Sequence, residues 1–180
     1  MVDRSDKKQT RISALEEAQK LAFAPLTFHA VAAMIDLGIL NAIDKKPMSA
    51  EELEIFLNSN EYTIKTLLQV AKVIDVVQYN EGKFSLTKKG EAFLYDDMTI
   101  ANFNFVKDVC YLGASKLTES FCKNRPVGLE EFIGKSETIY PLLPKLDEPM
   151  KSSWYNFDNL YSDNCFDKVC EIISSKHGRL

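Results

Sequence analysis

A chain of 180 residues, 46% hydrophobic and 27% charged, is long enough to bury a core without help from disulfides or a metal. Its net charge of −4 supplies no general attraction to nucleic acid or to an anionic membrane. Four cysteines with no C-x-x-C spacing and two histidines make no zinc motif, so the thiols are expected to be buried and reduced.

Residues 1–9 are polar and charged, an expected disordered lead-in with no apolar signal region. From Thr10 the spacing turns helical. Ile12, Leu15, Ala18 and Ala22 share one face, and Arg11, Glu16, Glu17 and Lys20 stay wet. Pro25 is expected to mark a bend or the first turn of a new helix. That second helix, reaching Asp36, is apolar nearly all round through Leu26, Phe28, Val31, Met34 and Ile35. A helix without a polar face belongs in the centre of a core or against another chain, and the sequence leaves both open. No apolar run approaches the roughly 20 residues of a membrane span, so the cytoplasm is the expected location. Gly38 ends the helix, and residues 39–43 add one more apolar turn.

Residues 48–94 then read helix, turn, helix, hairpin, helix, the outline of a winged helix. Ser49 with Glu52 three residues later is a capping-box signature, and Leu53, Phe56 and Leu57 form the buried stripe behind it. Over 60–74, Ile64, Leu67, Leu68, Ala71 and Ile74 line one face. Val77 and Tyr79 alternate against Phe84 and Leu86, and Gly82 supplies the positive φ of a tight hairpin. Thr87 caps a short helix carrying Ala92, Phe93 and Leu94.

Beyond Asp96 and Asp97 a long helix is expected over 99–123. Phe103, Val106, Cys110, Ala114, Leu117 and Phe121 lie along one face, widened by Phe105, Val109 and Leu112. Asn124 and Pro126 stop it, and a looser stretch follows with a short helix near 129–133. Trp154, Phe157 and Tyr161 recur at helical spacing. A last helix over 165–176 is expected to bury Phe166, Val169, Cys170 and Ile173.

A winged helix that reads DNA needs a cationic face, since phosphate neutralisation supplies most of the affinity. Residues 44–94 carry seven lysines and no arginine against eight acids, which leaves −1. No arginine is there to clamp a guanine edge. A DNA-binding transcription regulator is therefore the alternative reading.

The runs MIDLGILNAI, MSAEELEIFL and TIKTLLQVAKVIDVVQYNEGKFSLTKKGEAFL, in that order, resemble the N-terminal domain of small-molecule O-methyltransferases that use S-adenosylmethionine. This family includes plant caffeate- and flavonoid-type enzymes and bacterial polyketide-tailoring relatives. Downstream, SWYNFDNLYSDNCFDKVCEII is similar to the helical connector that precedes the catalytic domain there. Two departures stand out: Asn58-Ser59 replaces the small residue usual in that turn, and Asp75 the glycine usual near the start of the wing.

The resemblance implies a mainly α fold: a winged helix-turn-helix with a small β-hairpin wing, N-terminal dimerisation helices and a C-terminal helical connector. In that scheme 10–96 is the winged-helix dimerisation domain and 97–180 the connector and substrate cap. The seven glycines stand singly with no G-x-G, and neither His29 nor His177 matches the family's catalytic base. The catalytic domain is thus expected to be absent, the chain being the truncated N-terminal portion of a longer enzyme. S-adenosylmethionine is the implied cofactor of the full-length protein, with a small-molecule acceptor as substrate. A homodimer through the N-terminal helices is implied, with neither nucleic acid nor membrane as partner. Phe103, Cys110, Tyr111, Trp154, Phe157 and Tyr161 are the implied wall of the acceptor pocket. Catalytic, cofactor and metal residues are expected to be lacking here, and the 180 residues alone to be inactive.

Overall fold

The computed structural model describes residues 10–177. Thr10 opens the first helix, α1 (Arg11–Asp36), by accepting the Ser13 amide on its hydroxyl at 3.1 Å. Contrary to the expected bend or restart, α1 runs unbroken through Pro25. Proline has no N–H to give the Leu21 carbonyl, but this stretch is exposed, where water can satisfy a carbonyl. Continuity through Pro25 also makes α1 long and apolar enough to cross a membrane by length and composition. A helix divided at Pro25, as the sequence predicts, would hold no such run.

The chain divides into two compact units, one ending at Leu94 and the other starting at Tyr95. In the first, α1 packs on α2 (Ile39–Lys45) and α4 (Glu61–Val73), with α3 (Ala50–Leu57) against α4. Met34, Ile39, Leu40, Ile43, Leu53, Ile64, Leu68, Val76 and Val77 are fully buried and form its core. The capping box at Ser49 is made in both directions: the Glu52 amide donates to Ser49 Oγ at 3.1 Å and the Ser49 amide to Glu52 Oε2 at 2.7 Å. Leu53 is buried as the stripe required, but Phe56 is 60% exposed and Leu57 half-buried, because α4 and α2, the helices packed on α3, leave the Phe56 side of it uncovered.

The wing is β1 (Val77–Asn80) against β2 (Lys83–Leu86), antiparallel, with Val77 opposite Leu86 and Tyr79 opposite Phe84 as the alternation required. Its turn is Glu81-Gly82, both at positive φ (48° and 82°), which suits the right-handed strand twist. Met48 adds a third short pairing through two backbone hydrogen bonds to Phe84, at 3.0 and 2.8 Å. Both departures from the family pattern occupy left-handed backbone: Asn58 at φ 48° and Asp75 at φ 59°. α5 (Lys88–Tyr95) follows, and a Cβ on Gly90 would meet the Val76 carbonyl oxygen at 2.2 Å, so only glycine lets it lie there.

In the second unit Asp96 caps α6 (Asp97–Phe105) by accepting the Thr99 amide at 2.7 Å. The expected long helix is not one helix. A π turn (Val106–Cys110) follows α6, then α7 (Tyr111–Ala114), and the chain breaks before α8 (Leu117–Lys123). The break comes where Ser115 Oγ takes the Leu112 carbonyl at 2.6 Å and the backbone tightens to i→i+3 bonds. Asn124, at φ 49°, ends α8, and α9 (Val127–Phe132) returns to pack on α7 and α8. A 3₁₀ turn (Tyr140–Lys145) leads to α10 (Met150–His177), which packs on α6 and the π turn.

α10 is one helix where two were expected, and its far half is bare. Phe166, Val169, Cys170 and Ile173 are all exposed within this chain, not buried, because the elements that pack on α10 are α6 and the π turn. The four thiols are free, as expected, but Cys122, Cys165 and Cys170 are exposed and Cys110 alone is half-buried.

Candidate functional site

Two surfaces carry chemistry that packing within one chain leaves unspent. The first is α1. Its C-terminal end supplies Val31, Ala32 and Met34 to the core, whereas Leu21, Phe23 and Leu26 are 77%, 54% and 67% exposed. Ile12 and Leu15 are exposed as well. The two options the sequence left open are thus divided along one helix: core at one end, uncovered apolar surface at the other. A contiguous apolar surface of this kind marks an interaction site.

The winged helix shows the opposite character on the elements that would meet DNA. Lys65 on α4 pairs with Glu61 and lies 4.0 Å from Glu51, and the Glu61 carboxylate raises its pKa. Lys83 reaches Glu52 at 3.2 Å and Lys88 reaches Glu91 at 2.6 Å. Lys89 donates to the Ile74 carbonyl at 2.7 Å, and Lys72 sits 5.2 Å from the centre of the Tyr79 ring. Each of these cations is already answered within the domain, which leaves little charge for phosphate.

The second surface is an aromatic ladder in the unit from Tyr95 onward. Phe105 on α6 stacks on Phe157 of α10 at 4.0 Å between ring centres, interplanar angle 12°. Trp154 leans on Phe105 at 5.6 Å, Tyr161 on Phe157 at 4.8 Å, and Tyr140 meets Trp154 edge-on at 6.1 Å. Three residues expected in the acceptor wall, Trp154, Phe157 and Tyr161, are thereby joined. Phe103, Cys110 and Tyr111 lie half-buried along the rod from α6 to α7. Burial pushes the Cys110 thiol pKa up, away from a reactive thiolate. Phe105, by its spacing alone, belongs only to the widened face of that helix. Its one signal was the second apolar stripe on that helix.

Next to the ladder is a pocket of about 330 Å³, lined by Asp108, Phe132, Ile133 and the stretch from Lys145 to Met150. No three His, Cys, Asp or Glu side chains among the described residues are grouped to hold a metal. The sheet described is a two-stranded antiparallel hairpin, and the glycines stand singly. A Rossmann-type cofactor site has a strand-to-helix glycine loop that brings backbone amides to the ligand. The described residues do not fit one.

Residues 16–84 match the family model of the Dimerisation2-like domain. A search of the curated proteins gives no match. Among solved structures, the S-adenosylmethionine-dependent methyltransferase SibL, in its apo form, aligns with a TM-score of 0.70 at 19% identity, over 83% of this chain and 45% of its own. CalO1, a methyltransferase in calicheamicin biosynthesis solved with S-adenosylhomocysteine bound, aligns with a TM-score of 0.62 at 19% identity, over 87% and 46%. A pericyclic reaction enzyme aligns with a TM-score of 0.66 at 13% identity, over 83% and 40%. The chain shares the fold that these structures have over the aligned part, and it spans less than half of their length.

Proposed function

We propose that this chain is the pairing and acceptor-capping portion of an S-adenosylmethionine-dependent methyltransferase that acts on a small molecule, with oxygen as the methyl acceptor. The observation that carries the reading is the bare apolar half of α1, which begins a segment matched to a dimerisation domain. Two copies related by a two-fold axis would cover that surface isologously. The aromatic ladder would then form one wall of the acceptor pocket, offering flat area at low rotamer cost. Cofactor and catalytic base belong, in this reading, to a further domain, and the 180 residues alone transfer no methyl group.

Light scattering on the purified chain tests the pairing: the expected mass is that of a dimer at micromolar concentration, and a monomer overturns it. Calorimetric titration with S-adenosylmethionine tests the division of labour, and tight binding to these 180 residues would sink it. In the same reading α1 is covered by protein in the cytoplasm. Flotation of the chain with phospholipid vesicles would instead show that lipid covers α1.

The pericyclic enzyme among the structural neighbours favours a second reading, a small-molecule enzyme that moves no methyl group. Transfer of labelled methyl by the longer protein to a panel of small phenols and amines separates the two.

A further inference from the structure

Ser153 is the one buried polar residue among the described residues, at 6% exposure, and it lies immediately before Trp154 on α10. Its hydroxyl donates to the Asp108 carboxylate at 2.5 Å, across 45 residues of chain. Asp108 is three residues past Phe105, within the π turn, and its side chain is only 10% exposed, with the Lys107 ammonium 3.8 Å away. Both partners therefore sit within a turn of the rings that stack, and Asp108 also lines the neighbouring pocket.

We propose that Asp108 is a positioning residue: its hydrogen bond to Ser153 fixes the rotation and register of α10 on the π turn, and thereby sets Trp154 and Phe157 over Phe105. A buried polar pair gains little over apolar groups of the same shape, and its best-attested use is to specify register. Rings and aliphatic side chains pack acceptably in several offsets. A charge-assisted O–H···O⁻ bond is short and directional, and it is satisfied in one. π turns recur at functional sites, because the inserted residue changes which side chains face the neighbouring helix. The consequence for an acceptor rests on the reading that the ladder walls its pocket; the positioning itself does not.

The chain contains a single tryptophan, so the near-ultraviolet circular dichroism of Trp154 reports this place with only tyrosine and phenylalanine as background. In the full 180-residue chain, Ser153→Ala is expected to keep the far-ultraviolet helix signal while the Trp154 band falls to roughly half, the ring losing its fixed offset. Ser153→Thr keeps the hydroxyl and is expected to keep the band. Asp108→Ala, which unlike asparagine leaves no side-chain acceptor for the Ser153 hydroxyl, is expected to lose as much as Ser153→Ala, and the double variant no more than the worse single, since both remove the same interaction. An unchanged band in Ser153→Ala, equal loss in Ser153→Thr, or additive losses in the double variant would overturn the proposal. If Asp108→Ala does not fold, the alanine and threonine variants of Ser153 decide. Failure of the longer protein to transfer methyl groups would leave these spectra as they are, so the two readings fall separately.

Discussion

Gly113 on α7 and Gly128 on α9 cross with their backbones in contact: a Cβ on Gly128 would stand 2.3 Å from the Gly113 carbonyl oxygen and 2.8 Å from its Cα. The reverse is not true. A Cβ on Gly113 would find its nearest neighbour at 3.7 Å, an ordinary contact. Gly128→Ala should therefore cost about 1–3 kcal/mol through overpacking. Gly113→Ala should be neutral or gain up to about 1 kcal/mol from helix propensity. Urea unfolding followed by Trp154 fluorescence measures both, and equal effects would contradict the asymmetry of the crossing.

Leu21→Glu and Phe23→Glu on α1 should each convert a dimer to a monomer without loss of helix content. Both side chains are more than half exposed in the single chain, so folding does not need them. Ile55→Glu on α3, at a site just as bare, is the control and should leave the mass unchanged. Sedimentation velocity reads the result. A dimer that survives Leu21→Glu and Phe23→Glu together would place the interface elsewhere.

Asp75 sits at φ 59°, where a side chain costs roughly 1–2 kcal/mol for most residues and less for Asp or Asn. Asp75→Gly should raise the melting temperature of the winged domain slightly, and Asp75→Val should lower it sharply. A lower midpoint for the glycine variant would show that the Asp75 side chain contributes something its backbone angle hides.

The Ser49 amide donating to Glu52 holds that carboxyl below its ordinary value of 4.5, with Lys83 adding to the effect. The Thr99 side chain and amide likewise hold Asp96 below 3.8. In both cases the folded pKa lies under the unfolded one. The stability these caps add is whole above the unfolded value and drains away as pH falls through the folded value. Thermal stability should be flat from neutrality down to about pH 4.5 so far as these groups decide it, then fall. Glu52→Gln should shallow that fall. A carboxyl titration by NMR that puts the Glu52 midpoint at or above 4.5 would remove the basis of this prediction.

The winged segment could be read residue by residue because its signals are local. Ser49 and Glu52 lie one turn apart, Ile64 to Ala71 repeat at helical spacing, and Glu81-Gly82 fixes the register that opposes Val77 to Leu86 and Tyr79 to Phe84. Each of these devices closes within a few residues, so the chain carries its own instruction for them. The family motifs follow the same local devices, which is why the resemblance was legible too.

Other features needed the assembled units. Periodicity tells which residues share a face and nothing about whether another element covers it. Leu21 and Val31 have the same chemistry on the same helix, yet one is bare and the other buried, because α2 and α4 reach only the far end of α1. Phe166 and Ile173 read as core for the same reason and are exposed in this chain. The break before α8 arises at a serine hydroxyl beside the crossing of two glycines 15 positions apart, and the ladder centres on Phe105 because a π turn and a serine on α10 meet there. Sequence alone determined which short stretches would coil or pair, since those energies are spent between neighbours. Which apolar faces found a partner was decided only by tertiary structure, because coverage depends on residues far away in the chain.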